Sequence, residues 1–120
     1  QRLLEEAARY LGTPYVWGGY SPSGFDCSGF VSYCLTNSGV RNTGRLTAQG
    51  LYDMCTPVSE SDVQPGDLIF FTGTYNAGVP VTHVGIYVGD GQMIHCGDPI
   101  QYTSIYSSYW QSHFYGFGRW

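Results

Sequence analysis

The chain has 120 residues, near the usual size of one domain, and folding at that length buries roughly two thirds of the unfolded surface. Its five basic residues are all arginine, against nine acidic ones. The formal net charge of −4 argues against a nucleic-acid partner, which needs clustered Lys and Arg. Charged residues make up 12% and aromatics 17%, with eleven tyrosines, which excludes disorder and suits a weakly charged groove for peptides or sugars.

The chain opens QRLLEEAARY, without an initiator methionine, a basic leader or a long apolar run. The expectation is a single domain over residues 1–120, a module of a larger secreted protein with no membrane segment of its own. Leu3, Leu4, Ala7, Ala8 and Leu11 recur at helical spacing, and Gly12 and Pro14 are stop signals, so a first helix is predicted over residues 1–11. TPYVWGGYSPSGF follows as a Gly-, Pro- and Ser-rich loop carrying Tyr15, Trp17 and Tyr20. A second helix is predicted from Cys27 to Ser38, with Phe30, Val31, Cys34 and Leu35 on its apolar face and Gly39 just past its end. A third starts at Thr47 as N-cap, continues through Ala48, Leu51, Tyr52 and Cys55, and stops at Pro57. Beyond Glu60, QPGDLIFFTG, VTHVGIYVG, QMIHCG and HFYGFGRW are short β-favouring runs separated by turn residues. N-terminal helices followed by a strand meander define an α+β chain whose helices pack on an antiparallel β-sheet, with no internal repeat or domain boundary.

Four cysteines, Cys27, Cys34, Cys55 and Cys96, allow three fully paired frameworks. Cys27 and Cys34 are seven residues apart on one helix, about 10 Å along its axis, too far for a bridge. Cys34 and Cys55 fall on apolar helical faces. Cys27 instead opens its helix, where unpaired amides and the positive dipole end favour the thiolate and lower its pKa. The competing reading of Cys27 is a small apolar or bridged residue.

A sulfur nucleophile needs a base, and the chain offers His83, His95 and His113. Along the strand, His83, Gly85 and Tyr87 share one face, with Val84, Ile86 and Val88 on the other. The turn between the two histidine strands has two readings. A two-residue Asp90-Gly91 turn sets His95 opposite Ile86, on the wrong face. A three-residue Gly89-Asp90-Gly91 connection sets it opposite Gly85 and diagonal to His83, within roughly 7–8 Å. Gly85 suits the second, because a side chain there would stand between the imidazoles. His83 would then be the base for Cys27, with His95 orienting it. Cys96, beside His95, points to the opposite face and reads as core. That opposition, with no CxxC or HxxxH pair, argues against a metal site.

FDCSGF, then THVGIYVG, then MIHCG resemble the NlpC-like family of bacterial cell-wall cysteine peptidases. GTPYVWGG, GRLTAQG and QPGDLIFF are similar to that family's segments, in its order, so the resemblance covers nearly the whole chain. It implies a papain-like fold and cofactor-free hydrolysis of peptidoglycan stem peptides at the bond from γ-D-glutamate to diaminopimelate or lysine, outside the cell or in the bacterial wall. Cys27 matches the nucleophile, His83 the base and His95 the orienting residue. Tyr15 matches a tyrosine that helps bind the oxyanion, with the Cys27 amide as second donor. Asp26 and Ser28 match positions that contact the stem peptide in some members, although Asp26 reads equally well as a helix cap and Ser28 as first-turn filler. Arg45, Thr47 and Gln49 match an arginine-Ser/Thr-glutamine pattern along the groove, although Thr47 also reads as an N-cap. Trp17 reads as packing, and His113 as a strand or surface residue. The alternatives are a non-catalytic wall-binding module, or an amidase or acyltransferase on the same fold.

Overall fold

The computed structural model describes residues 2–120; Gln1, the first residue of the expected N-terminal helix, lies outside them. Leu3 and Ala7 are fully buried and anchor helix α1, Arg2–Ala8. This helix is shorter than the apolar spacing predicts, and Leu11 is exposed. The cause is a competing backbone partner: Gly12 N–H donates to Ile100 O at 2.9 Å, and Ile100 N–H donates to Thr13 O at 3.0 Å. Tyr10 supplies the core contact instead, packing edge-on against Phe25 and Tyr33.

The expected loop contains a two-stranded hairpin, β1 (Tyr20–Ser21) and β2 (Gly24–Phe25). Helix α2 (Cys27–Asn37) follows, and α3 (Ala48–Met54) starts behind Thr47, whose Oγ1 accepts the Gly50 N–H at 3.0 Å. Six further strands, β3 (Thr56–Val58), β4 (Leu68–Thr72), β5 (Val81–Gly89), β6 (Gln92–Cys96), β7 (Ile100–Ser104) and β8 (Phe114–Arg119), form one sheet, all neighbours antiparallel, in the order β3-β8-β4-β5-β6-β7. A short helix α4 (Ser108–His113) precedes β8.

Further elements differ from expectation, among them β7, over which no strand is predicted. Strand β3 contains Pro57, read as a helix stop; at the sheet edge it pairs only with β8, where a missing N–H is tolerated. Cys55 accordingly caps α3 and is not part of its face. His113 ends α4 and sits outside the strand: Ser107 Oγ caps that helix by accepting from Trp110 N–H at 3.3 Å, and six residues are too few to show a periodicity.

The period-2 alternation of the strands divides the core in two. Leu68, Phe70, Val84, Ile86, Ile94 and Cys96 face the helices, packing with Phe30, Val31, Cys34 and Leu35 of α2. Ile69, Phe71, Met93 and Phe117 face the other way, under Ile105, Trp110 and Phe114. Burying each large apolar side chain contributes roughly 1.5–3 kcal/mol, which fixes α2 firmly across the sheet. The turn into β4 is held by Asp67, whose carboxylate accepts from Arg119 Nε at 2.8 Å and Nη2 at 2.7 Å, tying the last strand to the first turn of the meander.

Candidate active site

Asp26 is extended (φ −94°, ψ −177°), and its Oδ1 accepts the Gly29 N–H at 2.7 Å, so the sequence turns into helix at Cys27. The Gly18-Gly19 loop closes over this helix start. Asp26 N–H donates to Gly19 O at 3.1 Å, and Gly18 N–H donates to Asp26 Oδ2 at 3.1 Å. A Cβ on Gly29 would sit 1.9 Å from Gly19 O, so only glycine admits the approach.

The Cys27 thiol is buried and donates to Thr82 O at 3.8 Å, placing the sulfur at the backbone of β5 one residue before His83. Burial pushes the thiol up to about 11, with the Asp26 carboxylate adding in the same direction. This reverses the expected lowering. Desolvation of the thiolate and a neighbouring like charge outweigh the helix terminus. Cys34 and Cys96 are buried within the core, and Cys96 Sγ donates to Phe25 O at 3.1 Å. Cys96 and His95 point to opposite faces, and all four cysteines are unpaired.

The histidine pair forms in the three-residue register: Ile86 opposes Ile94 and Tyr87 opposes Met93, with an irregularity at Gly89. His83 Nε2 lies 2.9 Å from His95 Nδ1. A Cβ on Gly85 would meet His95 Cβ and Met93 Sδ at 3.1 Å, tight enough to push on the pair. His95 Nε2 in turn lies 2.9 Å from Thr103 Oγ1, making a chain of three side chains across β5, β6 and β7. Trp110 stacks on His83 at 5.2 Å and meets His95 edge-on at 5.3 Å. Burial depresses both imidazoles, His83 to about 3, with His95 contributing, and His95 to about 4. Both rings are therefore neutral near pH 7. His83 Nδ1 has no hydrogen-bond partner among the described residues, so the ring's second nitrogen is left to another group.

A groove of about 620 Å³ opens over Cys27 and is lined by Tyr15, Asp26, Ser28, Arg45, Thr47 and Gln49, together with Trp17, Asp53, Tyr75, Val79 and Thr82. The fold thus gathers every groove residue that the sequence singles out around one thiol. The histidines are not part of this lining; they stand on the neighbouring stretch of β5 and on β6. Trp17 is corrected from packing to surface: it is 72% exposed and meets Tyr75 edge-on across 5.6 Å. The Tyr15 phenol is pushed up to about 12 by burial, with Cys27 and Asp26 nearby, and stays a neutral donor.

Several groove residues are already engaged. Arg45 Nη2 pairs with Asp26 Oδ2 at 2.7 Å, and its Nη1 donates to Ser28 Oγ and Leu46 O, each at 3.0 Å. Gln49 Oε1 accepts the Val81 N–H at 2.9 Å, pinning α3 to the start of β5. Thr103, Trp110 and Tyr75 were not read from the sequence. The Gly97-Asp98-Pro99 turn was the available signal for Thr103, since a hairpin there places His95 opposite Gln101 and Thr103 on the same face two residues on.

A cysteine opening a helix that lies across an antiparallel sheet, beside a histidine pair on that sheet, defines a papain-like α+β domain. Residues 12–119 match the NlpC/P60 family, and the chain belongs to it. It is 45% identical over 121 residues to the bifunctional muramidase/DL-endopeptidase CwlT of Bacillus subtilis, covering 99% of this chain and 36% of that protein. It is 48% identical over 118 residues to the probable endopeptidase p60 of Listeria seeligeri, covering 98% of this chain and 21% of the relative. The crystal structure of a lipoprotein-like NLP/P60 protein from Staphylococcus aureus superposes with a TM-score of 0.93 at 46% identity, over 99% of this chain and 40% of that one. The chain therefore spans well under half the length of these relatives.

Proposed function

We propose that this chain is the cysteine peptidase module of a larger cell-wall protein and that it hydrolyses peptidoglycan stem peptides. The relatives named as endopeptidases support the reaction class. The observation that carries it is the Cys27 thiol at the floor of a groove, at the start of α2 and against the backbone of β5, the strand whose His83 pairs with His95 of β6.

The hydrogen-bond chain runs in one of two senses. With His83 Nε2–H donating to His95 Nδ1, and His95 Nε2–H donating to Thr103 Oγ1, His83 Nδ1 keeps its lone pair and can take a proton. With thiol and imidazole both neutral at rest, that proton leaves Cys27 as the sulfur attacks the peptide carbonyl. The oxyanion is received by the Tyr15 hydroxyl and the Cys27 backbone N–H. His83 then protonates the departing amine. A water molecule, deprotonated by His83, attacks the thioester, releases the carboxylic acid and restores the thiol. The bond assigned is that from γ-D-glutamate to the third stem residue, and the place of action is the bacterial wall, outside the cell.

Digestion of purified muropeptides tests the assignment. Product masses should show separation of a γ-D-glutamyl fragment from the third residue. Release of intact stem peptide from the sugar would instead make the domain an amidase, and binding without products would make it a wall-binding module.

A further inference from the structure

Among the described residues, three carboxylate or guanidinium side chains line the groove: Asp26, Arg45 and Asp53. Two of them cancel, since Arg45 Nη2 and Asp26 Oδ2 form an ion pair at 2.7 Å. Asp53, in the last turn of α3, has no cationic partner among the described residues. Its Oδ1 accepts from the neutral Gln49 amide at 3.0 Å, which leaves its charge in place while fixing its direction. Gln49 is held in turn by the Val81 N–H, so the carboxylate is mounted on a tethered helix. Ala77 and Val79 supply aliphatic surface to the same groove. One uncompensated negative charge beside aliphatic surface fits a long methylene chain that ends in an ammonium group.

Resting on the endopeptidase reading, we propose that Asp53 is a specificity residue that reads the ammonium of the third stem residue. It favours a side chain of net positive charge, lysine or a diaminopimelate whose distal carboxyl is amidated. Free diaminopimelate is disfavoured, because its distal carboxylate cancels its ammonium.

The test compares stem tetrapeptides carrying lysine, Nε-acetyl-lysine or free diaminopimelate at the third position, using wild type and Asp53→Asn. The asparagine keeps an acceptor for Gln49 and removes only the charge. The wild type is expected to cut the lysine peptide about 3- to 5-fold better in kcat/KM than the other two, through KM, as suits an exposed ion pair. That preference should fall toward one in Asp53→Asn and in high salt, and return in Asp53→Glu. Cleavage of all three peptides at equal rates by the wild type, or a lysine preference that survives Asp53→Asn, would overturn the proposal alone. Cleavage of none of them by the wild type would overturn the endopeptidase reading and this proposal with it.

Discussion

His83 Nε2 and His95 Nδ1 stand 2.9 Å apart on adjacent antiparallel strands. The contact occupies one nitrogen of each ring, and the second nitrogen of His95 is occupied by Thr103. Only His83 Nδ1 remains for proton transfer, so the proposed base has a single working nitrogen whose tautomer is set two residues away.

Removing links from that chain should therefore cost activity in order. His95→Ala leaves His83 without its partner and should lower kcat/KM more than Thr103→Val, which removes one hydrogen bond of about 1 kcal/mol, roughly 5-fold in rate. Thr103→Ser should restore the rate and Thr103→Val should not. Rates over a pH series on a muropeptide check this, because loss of orientation lowers kcat while a purely structural defect would move Tm instead.

The resting protonation state gives the thiol a characteristic pH dependence. With Cys27 raised by burial and His83 depressed, alkylation of the free enzyme by iodoacetamide should be slow at pH 7 and climb about tenfold per pH unit toward pH 10. A preformed thiolate–imidazolium pair would give a fast, flat profile across neutral pH, and that profile would refute the neutral resting pair.

Asp26 both caps α2 and raises the Cys27 pKa. Asp26→Asn keeps a capping oxygen for the Gly29 N–H and loses the Arg45 ion pair, worth at most about 1 kcal/mol, together with the Gly18 N–H bond to Oδ2. Asp26→Ala should lose about a further 1 kcal/mol as the cap goes. Urea unfolding measures both. In the same asparagine variant, the alkylation profile should move to lower pH, because the like charge beside the thiol is gone.

What the sequence made legible follows from signal length. Phe30, Val31, Cys34 and Leu35 repeat at helical spacing over nearly two turns, and α2 lies where they place it. Gly85 and the GDG turn were enough to choose the register that joins the two histidines. The thiol's protonation was not legible, because a helix terminus is visible in a sequence while the depth of burial above it is not. Trp110 and Thr103 were hidden for a related reason: α4 has six residues and β7 five, so neither shows a full period, and both residues reach the site from those elements. Trp17 was misplaced because a large aromatic in a loop is usually covered, whereas here only Tyr75 meets its ring among the described aromatics.

In the proposed reaction the Cys27 sulfur makes the covalent attack and His83 moves its proton. The direct measurement is muropeptide cleavage by Cys27→Ala and His83→Ala, with circular dichroism and Tm confirming that each variant is folded. No detectable product is expected from the cysteine variant, and a loss on the order of 10²- to 10⁴-fold from the histidine variant. A folded Cys27→Ala protein that cleaves the stem peptide at the wild-type rate would contradict the proposed reaction.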